Sequence, residues 1–173
     1  MKTVLLAVLL LESIVHSAHA GPLDGAVAKL EEINTMRESL AATLENDKNP
    51  ITEETFKRVC APVGQALKSW ADAEGYVARQ LSEKYRNPKN KAEGHDLEIA
   101  KEFARKKDRM YIVEQVGDTM QIYRRINVQT SCLRCHGDSK TAPEFIKNKY
   151  PKDLANGFAP GALRGIYSVR LKR

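Results

Sequence analysis

The run Cys132-Leu133-Arg134-Cys135-His136 has the C-x-x-C-H spacing of a c-type haem attachment site. Residues at i, i+3 and i+4 share one face of a helical turn, so both thiols and the imidazole would point the same way. The thiols can then add to the two vinyl groups of one haem while His136 reaches its iron. The spacing predicts one covalent haem c, with Cys132 and Cys135 as thioether residues and His136 as the proximal iron ligand.

Two other kinds of site also use a C-x-x-C pair. A thiol oxidoreductase carries the pair early, at the helix start of a βαβ unit, whereas this pair comes late in the chain. A zinc site needs a second Cys or His pair, and after residue 20 the chain offers only Cys60 and His95 besides the motif. The motif therefore favours haem over a redox disulfide or zinc.

The sixth position of the iron would need a second ligand. Electron carriers commonly use Met or a second His. The candidates are Met36, Met110, Met120, His95 and Cys60. His95 lies in a polar stretch that predicts a solvated helix start. Met36 falls on an apolar helical stripe, and Met110 and Met120 fall in strand-like runs, so these residues are more typical of the core.

Cys60 differs from the others because no partner thiol remains once Cys132 and Cys135 are thioethers. Pro62 predicts a helix break close to Cys60, since proline removes a backbone donor and restrains the residue before it. Such a break could turn the thiol inward. A free cysteine is also commonly a small buried hydrophobe. The residues by themselves leave iron ligand and buried thiol as equal alternatives.

The first twenty residues predict a cleavable secretory signal. Lys2 precedes an apolar run, and Ala18 and Ala20 supply small residues before Gly21. An uncleaved membrane anchor would need a longer run than the one that Glu12 interrupts. We expect residues 1–20 to be a signal peptide and residues 21–173 to be a single c-type haem domain, exported and soluble in a bacterial periplasm.

Composition limits the classes of protein further. The chain has 173 residues, of which 42% are hydrophobic and 29% charged, with a net charge of +6. These values suit one folded domain and exclude wholesale disorder. The scattered positive excess is a weak nucleic-acid signal, and export argues against such a partner; an acidic redox protein or haem propionates suit it equally well. No acid–base constellation adjoins the motif, so we expect no enzyme.

The hydrophobic periodicity predicts an α+β order. We expect helices over 24–46, over 52–70 with a break at Pro62, over 95–107 and near 143–149. Extended segments are predicted over 75–85, 109–116, 119–128 and 163–171, with a hairpin at Gly117-Asp118 whose residue order suits a type II′ turn. A four-helix cytochrome carries the motif on its last helix, and ordinary small cytochromes c carry it near the N-terminus. Neither class fits.

The chain resembles the PAS-like c-type haem domains found in exported bacterial proteins and in extracytoplasmic parts of sensor kinases. The resemblance implies a PAS-like antiparallel sheet flanked by N-terminal and crossover helices. It also implies iron ligation by the motif histidine, His136, and by a cysteine of the N-terminal helical region, Cys60. The matching segments are residues 59–60, 81–90, 132–137, 150–158 and 161–169.

Thiolate ligation would have a chemical consequence. A thiolate stabilises ferric over ferrous iron and therefore lowers the reduction potential. Reduction followed by protonation could release Cys60 and open a position for CO or NO. We expect a redox or gas-responsive sensor-type domain that acts through a redox partner protein or a small gas. The alternative is a periplasmic electron-transfer cytochrome with Met or His as the sixth ligand.

Overall fold

The structure, a computed structural model, describes residues 21–171, so the predicted signal peptide lies outside the described residues. Within that part no helix is both long enough and apolar enough to cross a bilayer. The helices are α1 (Pro22–Ala42), α2 (Glu53–Val59), α3 (Ala61–Glu74), α4 (Gly94–Arg105), α5 (Leu133–His136) and α6 (Glu144–Lys149). The strands are β1 (Val77–Leu81), β2 (Tyr111–Val116), β3 (Thr119–Asn127) and β4 (Leu163–Leu171).

The four strands form one antiparallel sheet in the order β1-β4-β3-β2. The last strand of the chain therefore lies between the first strand and the central hairpin, and both neighbours run opposite to it. Gly165 permits the close approach of β1 and β4, because a Cβ at this position would lie 2.3 Å from the carbonyl oxygen of Leu81. The predicted α+β class with an antiparallel sheet flanked by helices is confirmed.

Side chains that alternate along the strands build a core on each face of the sheet. Ile122 and Ile126 of β3 pack with Leu30 of α1 and Leu67 of α3 on one face. On the other face, Tyr123, Ile166 of β4 and Phe103 of α4 form a second cluster. Helices α1 and α3 cover one face and α4 covers the other, so the two central strands, β3 and β4, are largely buried on both faces.

Local signals in the sequence placed most element boundaries within a few residues. The break at Pro62 is confirmed, since α2 ends at Val59 and α3 begins at Ala61. In the β2–β3 hairpin only Gly117 has a positive φ, 59°, as a type II′ rather than a type I′ turn requires.

Four elements differ from the predictions in where they begin or end. Helix α1 ends at Ala42 instead of 46, because the chain turns there to bury Leu44. Helix α3 continues to Glu74, past the predicted end at 70, and stops at Gly75, whose φ of 69° ends a helix readily. That longer helix leaves β1 shorter than the predicted extended segment 75–85. Met110, expected in a strand, precedes β2 and is 37% exposed.

Candidate functional site

One cavity of about 290 Å³ brings together the residues that the sequence analysis singled out. Its wall includes Cys132, Cys135 and His136 of the C-x-x-C-H run, and also Cys60 from the junction of α2 and α3. The end of β1 and the loop after it complete the wall beside Arg86. The fold therefore places the isolated cysteine on the same cavity as the motif, although long stretches of chain separate them.

The motif adopts a compact turn of the kind that its spacing predicts. A 3₁₀ turn over Thr130–Cys132 leads directly into α5, which ends at His136. The N–H of Gly137 then donates to the carbonyl oxygen of Leu133 at 2.8 Å. A Cβ at Gly137 would lie 2.6 Å from that same oxygen, so only glycine closes the turn without displacing it. Gly137 therefore fixes the point at which the chain leaves α5, directly after His136.

The ring of His136 is oriented by a backbone carbonyl. Its Nδ1 lies 2.6 Å from the carbonyl oxygen of Ala155, so this nitrogen carries the proton and donates it. Nη2 of Arg86 lies 3.4 Å from the same nitrogen; both groups are donors, so this contact is not a hydrogen bond. The hydrogen bond to Ala155 leaves the lone pair on Nε2, which is the tautomer that an iron or zinc ligand needs.

The surroundings of His136 also keep its imidazole neutral. Burial is the main reason that its pKa lies well below the usual value, and the positive charges of Arg164 and Arg86 lower the pKa further. The hydrogen bond to Ala155 acts in the opposite direction but is outweighed. A neutral imidazole with a free Nε2 is a competent ligand for a metal ion at neutral pH.

Cys60 lies where two helices meet. It follows the last residue of α2 and precedes the first residue of α3, and its N–H donates to the carbonyl oxygen of Phe56. The residue is exposed, and it is one of the residues that line the cavity. Enough protein surrounds the thiol that burial, aided by the nearby Cys135, raises its pKa to about 11, while Arg86 and Arg164 favour the thiolate.

The other candidates for a sixth ligand lie elsewhere in the described part of the chain. Met36 and Met120 pack against the core cluster that α1 and α3 form with the sheet. Met110 lies on the surface. The side chain of His95 is 60% exposed, as expected, and its Nε2 contacts Glu114 at 2.6 Å. None of these four residues lies on the cavity wall.

The wall carries arginines, and the carboxylates that pair with two of them, Glu38 with Arg37 and Asp153 with Arg86, lie outside the wall. Arg37, Arg86 and Arg164 line the cavity, and over residues 21–171 no Asp or Glu does so. Burial, followed by the charge of Arg86, lowers the pKa of Arg164 to about 10. Its guanidinium donates to the carbonyl oxygen of Lys84 at 3.2 Å and lies 5.6 Å from the ring centre of Phe158. A cation held in this way suits an anionic group in the cavity.

The segment 153–158 makes hydrogen bonds to the end of the C-x-x-C-H run and to the glycine that follows it. The N–H groups of Gly157 and Phe158 donate to the carbonyl oxygens of Gly137 and His136 at 2.6 and 3.1 Å. The ring of Phe158 stands edge-on to that of His136, with centres 6.1 Å apart. Asp153 forms an ion pair with Arg86. The sequence predicted no role for either residue, although both lie in segments that carry the family resemblance, and that resemblance was the only sequence feature that could have pointed to them.

The fold and the site together define the class of protein. It is a small α+β domain with an antiparallel sheet, and one of its cavities is lined by a C-x-x-C-H turn and by a separate cysteine. A family model described as Tll0287-like matches residues 16–172 of the chain. The chain belongs to the Tll0287-like family.

A solved structure supports the same assignment. It is described as the crystal structure of the cyanobacterial heme-protein Tll0287, and it is 39% identical in sequence to this chain. The match covers 89% of this chain and 98% of that one, with a TM-score of 0.80. The search of proteins with curated descriptions found no match.

Proposed function

We propose that this protein is an exported c-type haem protein whose iron is ligated by His136 and Cys60 and which responds to redox state or to a small gas. The observation that carries the proposal is the meeting of Cys132, Cys135, His136 and Cys60 on one cavity wall. The chain's similarity to a structure described as a heme-protein supports it independently. Cys132 and Cys135 would form the two thioethers, and His136 would be the proximal ligand.

The rest of the wall fits such a cofactor. A haem combines a flat apolar macrocycle with two carboxylates. Ala41, Leu44, Val59, Val63, Leu81 and Ile126 supply apolar surface. Arg164 supplies a half-buried cation for a carboxylate, while Arg37 and Arg86 already contact the carboxylates of Glu38 and Asp153. When bound, haem supplies an iron that cycles between the ferric and ferrous states.

The position of Cys60 supports its role as the second ligand. It lines the same cavity as the motif, whereas Met36, Met110, Met120 and His95 do not. Burial raises the pKa of the free thiol, and Arg86 and Arg164 only partly oppose that rise, so coordination itself would have to remove the proton. A thiolate ligand lowers the reduction potential, which suits a sensor better than a general electron carrier.

The proposed response is the loss of Cys60 from the iron on reduction. Ferrous iron holds a thiolate less strongly, and protonation of the sulfur would free the position for CO or NO. While His136 and Cys60 both held the iron, no position would be open to a substrate, so we expect no enzymatic turnover in that state. The predicted signal peptide would deliver the chain to the compartment in which thioethers to haem form.

The decisive experiment expresses the full chain in cells that mature c-type cytochromes. We expect an intact mass that corresponds to removal of residues 1–20 and addition of one haem, and a low-spin ferric spectrum. Cys60→Ser should lose the thiolate signature in absorption and EPR, whereas the matched variants Met36→Leu and Met120→Leu should keep it. Ferrous protein should bind CO.

Three results would contradict the proposal in separable ways. Colourless protein without added mass would remove haem altogether. A low-spin ferric spectrum that survives Cys60→Ser would exclude Cys60 as the ligand. Ferrous protein that stays six-coordinate and binds no CO, together with fast electron self-exchange, would favour the electron-carrier alternative.

A further inference from the structure

A buried ion pair between Arg86 and Asp153 lies next to His136, the proposed proximal ligand. Nε of Arg86 donates to Oδ2 of Asp153 at 3.0 Å, and the two side chains are only 8% and 11% exposed. The partners are far apart in sequence, so the pair joins the loop after β1 to the segment after α6. Buried ion pairs have large desolvation costs, and this one needs further hydrogen bonds to be tolerated.

Those hydrogen bonds all lead to the C-x-x-C-H turn. Nη2 of Arg86 donates to the carbonyl oxygen of Cys135 at 2.7 Å. Oδ1 of Asp153 accepts the N–H of Ala155 at 2.8 Å. Ala155 in turn accepts the Nδ1 proton of His136 through its carbonyl oxygen. The pair therefore fixes both Cys135, the residue before His136, and Ala155, whose carbonyl oxygen orients the His136 ring.

The two charges lie at different distances from the imidazole. Nη2 of Arg86 is 3.4 Å from Nδ1 of His136, whereas Asp153 reaches the ring only through Arg86 and Ala155. A cation beside an iron ligand favours the ferrous state, which carries one positive charge less. An anion favours the ferric state. In the buried setting of this pair neither effect is strongly screened.

We propose that Arg86 and Asp153 are positioning residues for the proximal ligand and that their opposed charges set the reduction potential of the iron. The proposal rests on the proposed function, since it concerns the iron that His136 would bind. It assigns a role in tuning to two residues that belong neither to the C-x-x-C-H run nor to the helices that meet at Cys60.

The test measures the midpoint potential and the ferric EPR spectrum of the mature haem-loaded protein. Asp153→Asn leaves Arg86 without its anion and is expected to raise the potential. Arg86→Gln leaves Asp153 without its cation and is expected to lower it. Glu93→Gln, which disrupts the exposed pair with Lys91, is the matched control and should leave the potential unchanged.

The outcomes separate tuning from simple stabilisation. Shifts of opposite sign support the proposal, whereas shifts of the same sign, or none beyond that of the control, would overturn it. The Arg86→Gln/Asp153→Asn double variant leaves no unpaired buried ion and covers the case in which a single variant fails to fold. We expect it to keep a potential near the wild type but to broaden the low-spin signal, because the ring is held less firmly; an unchanged signal would contradict positioning.

The proposed function and this inference fail in different ways. Wild-type protein without covalent haem would defeat the proposed function, and no potential could then be measured. Haem-loaded wild type whose variants behave like the control would defeat this inference alone.

Discussion

Nη2 of Arg134 donates a hydrogen bond of 2.6 Å to the carbonyl oxygen of Asn49. Nη1 of the same guanidinium donates to the carbonyl oxygens of Leu44, at 3.3 Å, and Asp47. Arg134 is one of the two variable residues of the C-x-x-C-H run, and the segment 44–49 leads into α2 and so to Cys60. One side chain thus ties the motif to the part of the chain that carries the proposed second ligand.

Replacing Arg134 should loosen that connection. Arg134→Ala removes charge-assisted hydrogen bonds to three carbonyl groups, and we expect a loss of about 2 kcal/mol in the free energy of unfolding. Cleavage by added protease should increase within residues 43–52. The matched variant Arg105→Ala removes an exposed arginine at the end of α4 and should change neither quantity. Equal behaviour of the two variants would show that the contacts with 44–49 contribute nothing to stability.

The contact of α1 with the sheet should depend on pH through Glu31. Two hydrogen bonds from Arg124, at 2.9 and 3.1 Å, are the main reason that the pKa of Glu31 lies below its ordinary 4.5. Because the folded pKa is the lower one, the stabilisation is present above the unfolded pKa and is lost as the pH falls through the folded pKa. We expect Glu31→Gln to cost about 1 kcal/mol at pH 7 and to flatten the decline of stability in acid.

The control for Glu31 is its neighbour on the same helix. Glu32 pairs with Lys29 in an exposed setting, and surface pairs of that kind contribute little. Urea unfolding across the acid range should therefore show Glu32→Gln parallel to the wild type. A parallel curve for Glu31→Gln as well would mean that its link to Arg124 does not stabilise the fold.

Two glycine substitutions should have opposite effects. Gly165→Ala would push a Cβ to within 2.3 Å of the carbonyl oxygen of Leu81 and separate β1 from β4, at a cost of roughly 2 kcal/mol. Gly25→Ala lies in α1 with no neighbouring atom within 4 Å, and we expect a gain of about 0.5–1 kcal/mol from the higher helix propensity of alanine. Thermal unfolding of both variants measures the difference. A neutral Gly165→Ala would show that the strands can adjust.

Neutralising Arg164 should weaken the cavity's hold on an anionic group. Arg164→Gln removes a half-buried cation whose pKa of about 10 keeps it charged at neutral pH. In haem-loaded protein we expect a lower midpoint potential and a lower melting temperature, because a carboxylate of the cofactor would lose its partner. Arg170→Gln changes an exposed arginine of the same strand and serves as the control. A potential equal to that of Arg170→Gln would exclude Arg164 as the partner of a carboxylate.

Features that depend on neighbouring residues were predicted well. The break at Pro62, the hairpin at Gly117 and the final strand each follow from backbone restrictions or from a period that a few residues establish. Contacts between distant segments were not predicted. The ion pair of Arg86 with Asp153 spans 67 positions and the contact of Arg134 with Asn49 spans 85. Charged residues are usually exposed, so nothing in the local pattern of Arg86 or Asp153 indicated that the two would form a buried pair.

The residue types and their spacing were enough to predict the helical turn at Cys132–His136, because two thiols and an imidazole within five positions share one helical face whatever the remaining chain does. They were also enough to predict the α+β class, since helical and strand periods are local properties. Which of five possible second ligands faces that turn depended on the packing of α2 and α3 against the sheet. Likewise, the tautomer of His136 depended on a carbonyl delivered by the segment 153–158. Both depend on residues far apart in the sequence, and only the folded arrangement of helices and sheet brings such groups to one cavity or into one hydrogen bond.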